Sequence, residues 1–204
     1  MLRIDQARDL PRPPWEITLA QALPKGKLFE SIIQKATELG VYRIVPLLSE
    51  RVVTQVDDAG AAHKGEKWRQ VAIEAIKQCG SGWLPQIETP TTPGEFANCP
   101  MQFDLDLVAA LQPGSEHLRA HLVKFSSREG RPPRSVRVWV GPEGDFTAAE
   151  YDLIQRGGAL PITLGHLVLR VETAAIYSLA IVNHELQAAH AFIPGAQFVP
   201  SGKS

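Results

Sequence analysis

The sequence contains only two cysteines, Cys79 and Cys99, and neither belongs to a CxxC pair or to a metal-ligand spacing. That scarcity excludes a disulfide scaffold and a zinc module, and makes a reducing cytoplasm the default compartment. Net charge is nearly absent as well, with 21 Lys and Arg against 22 Asp and Glu. A chain so balanced is not held on nucleic acid by bulk positive charge, which leaves only local basic patches for that task. No apolar segment follows the charged start MLRIDQARDL, so no signal peptide is expected. The apolar stretch from Ala174 to Val182 is interrupted by Ser178. It falls far short of the roughly 20 residues that a membrane-spanning helix needs. Common site signatures are missing too: no GxGxxG after a strand, no GxxxxGK[ST] and no GxSxG. His117 and His121 stand four apart, but Leu118 occupies the place where HExxH has glutamate, so the pair reads as a solvated helix face and no metal is expected.

What is present fits one full-sized domain: 204 residues, 44% hydrophobic and 21% charged. Trp15 to Ala20 alternates as a strand after a proline-rich lead-in. Leu28, Ile32, Ala36 and Leu39 share a helix face that Gly40 ends, and Val41 to Leu48 follows as a β-rich run. Trp68, Val71, Ala72, Ala75, Ile76 and Cys79 keep helical spacing, which places Cys79 in the core as an inert thiol. Lys64, Lys67 and Arg69 precede that helix. Pro85 to Pro100 reads as loop with at most a short helix, Leu105 to Leu111 as a buried strand, and Ser115 to Phe125 as helix. An exposed basic loop from Ser126 to Ser135 leads into a strand from Val136 to Val140. Thr147 and Glu150 form a capping box, which opens a helix to about Arg156. Leu160 to Leu164 is a further strand, and Glu172 to about Ala188 a final apolar helix. Alternating strands and helices predict an α/β fold with a mainly parallel sheet flanked by helices. Ligands of such sheets bind in the loops at the carboxyl ends of strands, here after Leu111, Val140 and Leu164.

Two of those loops carry unusual residues. Val140-Gly141-Pro142-Glu143-Gly144-Asp145-Phe146 has glycines that let backbone approach a ligand, with Pro142 stiffening the turn, although ordinary strand-to-helix turns share this composition. Leu164 to Ala174 (LGHLVLRVETA) is apolar for a loop and sets Arg170 and Glu172 before a helix start. Free backbone N–H groups there suit an electron-rich ligand; equally, Glu172 could merely favour the helix N-terminus and pair with Arg170.

Taken together, the G-P-E-G-x-F loop and the later L-G-x-x-x-L-R-x-E-T-A segment resemble the SPOUT class of RNA methyltransferases. More narrowly, the chain resembles the ribosomal RNA small subunit methyltransferase E family. Lys35-Ala36-Thr37-Glu38-Leu39-Gly40-Val41 and Lys77-Gln78-Cys79 match that family's segments in the right order. The resemblance implies a C-terminal trefoil knot that binds S-adenosylmethionine, a homodimer, and methylation of N3 of a uridine in 16S ribosomal RNA. On that reading Ala110, Leu111, Val140, Gly141, Pro142, Gly144, Leu164, Gly165, Leu169, Thr173 and Ala174 surround the cofactor. Leu164 and Leu169 pack the adenine, and backbone near Gly141 and Gly165 holds its polar edge and the ribose. Arg51, Lys77, Gln78, Arg128 and Arg131 are expected to touch RNA. Loss of the uridine N3 proton needs a base or a cation on the uracil oxygens. Arg170 suits the second role, with Glu172 orienting it or helping to remove the proton.

The sequence departs from the family in three places. Residues 1–14 form a lead-in where the family has an N-terminal PUA-like barrel, residues 15–192 the methyltransferase-like domain, and residues 193–204 a flexible tail. Ser81 and Gly82 stand where an arginine is usual, and Asp145 replaces the second glycine of G-P-E-G-G. All three bear on RNA more than on the cofactor. They leave two alternatives open: the same chemistry on another RNA such as tRNA, and a non-catalytic RNA-binding or ribosome-assembly protein that keeps the fold.

Overall fold

The computed structural model describes residues 13–26, 28–51, 58–110, 112 and 114–191. Its elements are β1 (Glu16–Ala22), α1 (Leu28–Glu38), β2 (Arg43–Leu47), α2 (Asp58–Cys79), β3 (Gln86–Ile87) and α3 (Pro93–Ala97). They continue as β4 (Leu105–Ala109), α4 (Leu118–Glu129), β5 (Ser135–Val140), α5 (Ala148–Arg156), β6 (Leu160–Ile162) and α6 (Val171–Ala191). The six strands form one sheet in the order β3-β2-β1-β5-β4-β6, and every pairing is parallel, as the alternating pattern predicts.

Helices cover both faces, so the central strands are buried along nearly their whole length, polar residues included. Successive β1 residues divide between two cores. Ile17 and Leu19 join Val136, Val138, Leu107 and Ile44 against Ile32 of α1 and Leu179 of α6. Ala20 and Ala22 join Val45, Val108 and Trp139 against Phe96 of α3 and Ile154 of α5. The chain leaves β1 for α1 on one face and leaves β5 for α5 on the other. Their carboxyl ends therefore diverge between two adjacent strands, which is the switch point where open α/β sheets form a crevice.

Two ion pairs fasten β4 to its neighbours. Arg137 of β5 is buried and forks onto Asp106 of β4, with Nε 2.9 Å from Oδ1. Trp139 Nε1 donates to the same Oδ1 at 2.8 Å, and the guanidinium lies over the rings of Phe96, Phe103 and Trp139. At the amino end of β4, Asp104 accepts both Arg131 Nη groups at 2.8 Å and the Arg134 N–H at 2.7 Å. The Arg131 hydrogen bonds hold the Asp104 carboxyl down at about 2 against a partial burial penalty. A depressed carboxylate stabilises the fold above its unfolded pKa of 3.8 and loses that contribution as pH falls towards 2. Asp104→Asn is therefore expected to cost about 2 kcal/mol near neutrality and almost nothing at pH 2, measured as urea midpoints across that range.

Several local expectations are corrected. Cys79 is exposed: α2 has 22 residues against 11 in α1, so its last turn outruns the helix it packs on. Lys64, Lys67 and Arg69 lie within α2, not before it, and Lys67 pairs with Glu30 of α1 at 2.6 Å. β2 starts at Arg43 because Gly40, in the left-handed region at φ 76°, and Val41, donating to Ala36 O, still finish α1. β6 stops at Ile162, and Thr163 and Leu164 already belong to the next loop. The two histidines do not share a solvated face: His117 is the exposed N-cap of α4, and His121 is buried with Nε2 3.3 Å from Pro161 O. Among the described residues no group of three metal-ligating side chains occurs, and no helix is long and apolar enough to cross a membrane.

Candidate active site

β5, β4 and β6 are neighbours, so the three loops singled out in the sequence emerge side by side at the carboxyl edge of the sheet. After β4, Ala110 is buried and donates its N–H to Ile162 O at 3.2 Å; Leu111 lies outside the described residues. After β5, Val140, Gly141 and Pro142 are buried, and the chain then turns through two consecutive left-handed residues, Gly144 at φ 86° and Asp145 at φ 68°. A glycine takes that conformation freely, whereas an aspartate takes it with local hydrogen bonding. Here Asp145 Oδ1 accepts the Phe146 N–H at 2.8 Å and Asp145 N donates to Pro142 O at 3.0 Å. The turn folds back onto Gly141 so closely that a Cβ there would lie 2.7 Å from Asp145 Oδ1 and 3.0 Å from Phe146 N.

The loop is anchored from outside. Glu150 closes the expected capping box, accepting the Thr147 N–H at 2.9 Å, and its carboxylate also reaches the loop after β2. There it accepts Ser49 Oγ at 3.1 Å and the Glu50 N–H at 2.9 Å. Arg51, next in the chain, donates through Nη1 to Gly144 O and, at 3.4 Å, to Asp145 O. On the β1 side, Lys25 N donates to Glu143 Oε1 at 3.2 Å. Burial, and next the Asp145 charge, push the Tyr151 hydroxyl up from its ordinary range. That hydroxyl has no hydrogen-bond partner among the described residues.

After β6, Thr163 Oγ1 accepts the Gly165 N–H at 3.1 Å and Gly165 turns at φ 108°. Leu164 packs against the core and Leu169 is half-buried, but Leu167 and Val168 stand 64% and 86% exposed. α6 opens with Ala174 N donating to Arg170 O at 2.8 Å, which leaves the N–H groups of the preceding turn directed beyond the helix end. Neither the Arg170 guanidinium nor the Glu172 carboxylate has a hydrogen-bond or ion-pair partner among the described residues, so the two do not pair with each other. Thr173 is exposed and Ala174 half-buried in the first turn.

One contributor was not singled out in the sequence. Gln21, fully buried in β1 beside Val140 of β5, donates Nε2 to Ala22 O at 2.8 Å and leaves Oε1 without a partner among the described residues. It sits at the base of the switch-point crevice. Its signal in the sequence is a glutamine at the buried carboxyl end of the strand, between Ala20 and Ala22.

The five residues expected to touch RNA are not gathered together. Arg51 stands at the carboxyl edge beside the glycine loop. Lys77 and Gln78 occupy the last turn of α2, Arg128 that of α4, and Arg131 the turn beyond it. Each helix returns the chain from the carboxyl to the amino edge of a parallel sheet. These four therefore lie at the opposite edge, about 20 Å away by the length of β5. There Lys77 pairs with Glu74, Arg128 with Glu129, and Arg131 with Asp104.

Comparison with known proteins brings this geometry into a family. The model of an RNA methyltransferase domain matches residues 11–183. The ribosomal RNA small subunit methyltransferase E of Synechocystis is 34% identical over 90% of this chain and 57% of its own length. That of Bacillus subtilis is 30% identical over 85% and 68%. The chain thus spans between half and just over two thirds of these relatives. Among solved structures, a Legionella pneumophila protein with bound S-adenosylmethionine superposes with a TM-score of 0.75 at 37% identity, covering 86% of this chain and 67% of that one. A ribosomal RNA small subunit methyltransferase E of Neisseria gonorrhoeae bound to S-adenosylmethionine gives 0.72 at 27% identity, over 84% and 67%.

Proposed function

The chain belongs to the ribosomal RNA small subunit methyltransferase E family of RNA methyltransferases, and from that premise we propose that it transfers a methyl group from S-adenosylmethionine to N3 of a uridine in 16S ribosomal RNA. The observation that carries this reading is an Arg170 with no partner among the described residues, at the same sheet edge as a glycine loop too tight for a side chain at Gly141.

The residues present suit the cofactor. Leu164 and Leu169 offer apolar surface for an adenine ring, and Gly141, Pro142, Gly144 and Gly165 let backbone close on the ribose and the polar edge of the base. Val140, Ala110, Thr173 and Ala174 line the same edge, and the open N–H groups of α6 are available to polar atoms. Bound S-adenosylmethionine supplies an electrophilic methyl group on a sulfonium. The chain's own residues do the rest. Arg170 places positive charge against the uracil oxygens as the N3 proton leaves, which lowers the cost of the uracil anion that attacks. Glu172, two residues on, orients Arg170 or takes that proton. The methyl carbon then bonds to N3 as its bond to sulfur breaks.

The remaining features follow the same reading. Exposed Leu167, Val168 and Tyr177, on the β6 loop and α6, favour a homodimer that covers them, and membership of the family implies a C-terminal trefoil knot. Ribosomal RNA of the small subunit is the partner, the cytoplasm the compartment, and neither membrane nor metal takes part. Residues 15–192 make up the catalytic unit; the expected lead-in up to residue 12 and tail from residue 193 lie outside the described residues. Lys77, Gln78, Arg128 and Arg131 would meet RNA only where it wraps to the far edge of the sheet. Calorimetric titration with S-adenosylmethionine tests the reading: saturable binding is expected, and no heat above dilution would remove it.

A further inference from the structure

Arg51 occupies an unusual position for a residue expected to grip RNA. It follows β2, yet its contacts are on the loop after β5, and β1 lies between those two strands. Residues 49–51 therefore pass beyond β1 and lie against the start of α5 and the loop after β5. Both the backbone and the side chain of this segment are fixed. Ser49 Oγ and the Glu50 N–H are held by the buried carboxylate of Glu150. The left-handed turn at Gly144 and Asp145 presents two successive carbonyl oxygens to one guanidinium nitrogen. Glu150 also caps α5 through Thr147, so the same carboxylate sets the far end of the glycine loop. The result is a closed circuit of hydrogen bonds, from Glu150 through residues 49–51 to Gly144 and Asp145 and back along the chain to Thr147.

We propose that Arg51 is a positioning residue of the cofactor site: it holds the Gly141–Phe146 loop in its ligand-accepting shape and is not principally an RNA contact. The chemistry favours this assignment. Consecutive left-handed residues leave carbonyls pointing outward, and the two N–H groups of one planar guanidinium nitrogen can each meet one of them. A lysine keeps the charge but offers a compact point donor without that planar pair. The inference rests on the methyltransferase reading above, because it names S-adenosylmethionine as the ligand the loop accepts.

The test compares the parent chain with Arg51→Ala and Arg51→Lys in three measurements. These are the dissociation constant for S-adenosylmethionine, the KM and kcat of methyl transfer, and the salt dependence of binding to a uridine-containing fragment of small-subunit ribosomal RNA. Arg51→Ala is expected to weaken S-adenosylmethionine about tenfold, raise its KM in proportion and leave kcat at saturation near the parent value. Arg51→Lys should recover only part of that affinity, and the slope of log binding constant against log salt should not change. Thermal midpoints within about a degree of the parent value separate a loop effect from a folding defect. Unchanged cofactor affinity in Arg51→Ala, with the salt slope reduced by about 0.7–0.9, would overturn the assignment and make Arg51 a phosphate contact. If the parent itself binds no S-adenosylmethionine, the methyltransferase reading fails first and takes this proposal with it.

Discussion

Arg170→Ala is expected to slow methyl transfer by about 10²–10³-fold while leaving the affinity for S-adenosylmethionine unchanged. N3 of uridine carries a proton and becomes nucleophilic only as that proton leaves, so negative charge builds on the flanking oxygens. A cation already in place, needing no rearrangement, stabilises that charge more than it stabilises the neutral ground state. Arg170 meets the requirement because no carboxylate or carbonyl occupies its guanidinium among the described residues. The effect should therefore fall on the chemical step alone. Single-turnover rates, with calorimetry on the same samples, separate that step from binding. A variant that binds the cofactor normally and reacts at the parent rate would remove Arg170 from the mechanism. Glu172→Gln distinguishes the two roles open to the glutamate. A base would shift the pH profile of the single-turnover rate, whereas an orienting group would lower the rate at every pH.

The largest expected effect on stability lies away from the chemistry. Arg137→Ala should destabilise the fold by about 3–5 kcal/mol, read as a lower urea midpoint at unchanged slope. The loss has two parts. Asp106 would remain in the interior with one hydrogen bond, from Trp139 Nε1, in place of three. The rings of Phe96, Phe103 and Trp139 would also lose the plane that fills the space among them. Replacing both partners, Arg137→Met with Asp106→Leu, should recover much of the loss, because no charge is then left without a partner. If Arg137→Ala cost less than about 1 kcal/mol, the pair would have no structural weight.

The α/β class and most helices were legible because both rest on local pattern. The Thr147–Glu150 capping box, the stop at Gly40 and the apolar face of α2 all lie within one or two helical turns. Features that depend on adjacency between distant segments were not. Arg137 and Asp106 read as ordinary charges in two separate strands, and only the β4–β5 pairing places them opposite one another. Glu150 was legible as a cap but not as the group that also holds Ser49 and Glu50. Cys79 kept perfect helical spacing and is still exposed, since spacing reports a face and not whether another element extends far enough to cover it. The separation of Lys77, Gln78, Arg128 and Arg131 from the glycine loops was deducible in principle. A helix joining parallel strands must end at the edge opposite the loops after those strands.

Asp145 shows where departure from a family pattern acquires a physical meaning. In the sequence it stands where glycine is usual, with helix capping or repulsion of RNA phosphate as its two readings. The structure gives it left-handed backbone, a hydrogen bond to Phe146 and a place against Gly141. The position requires a residue that tolerates positive φ, and aspartate is among the few side chains that do.

The central claim is most directly tested on the product. The protein, S-adenosylmethionine carrying an isotopic methyl label, and small ribosomal subunits without prior methylation are incubated together. The RNA is then digested to nucleosides and resolved by mass spectrometry. The account predicts label in 3-methyluridine from 16S ribosomal RNA, and its loss in Arg170→Ala. Label in another nucleoside, label only in transfer RNA, or no label with cofactor bound would contradict it.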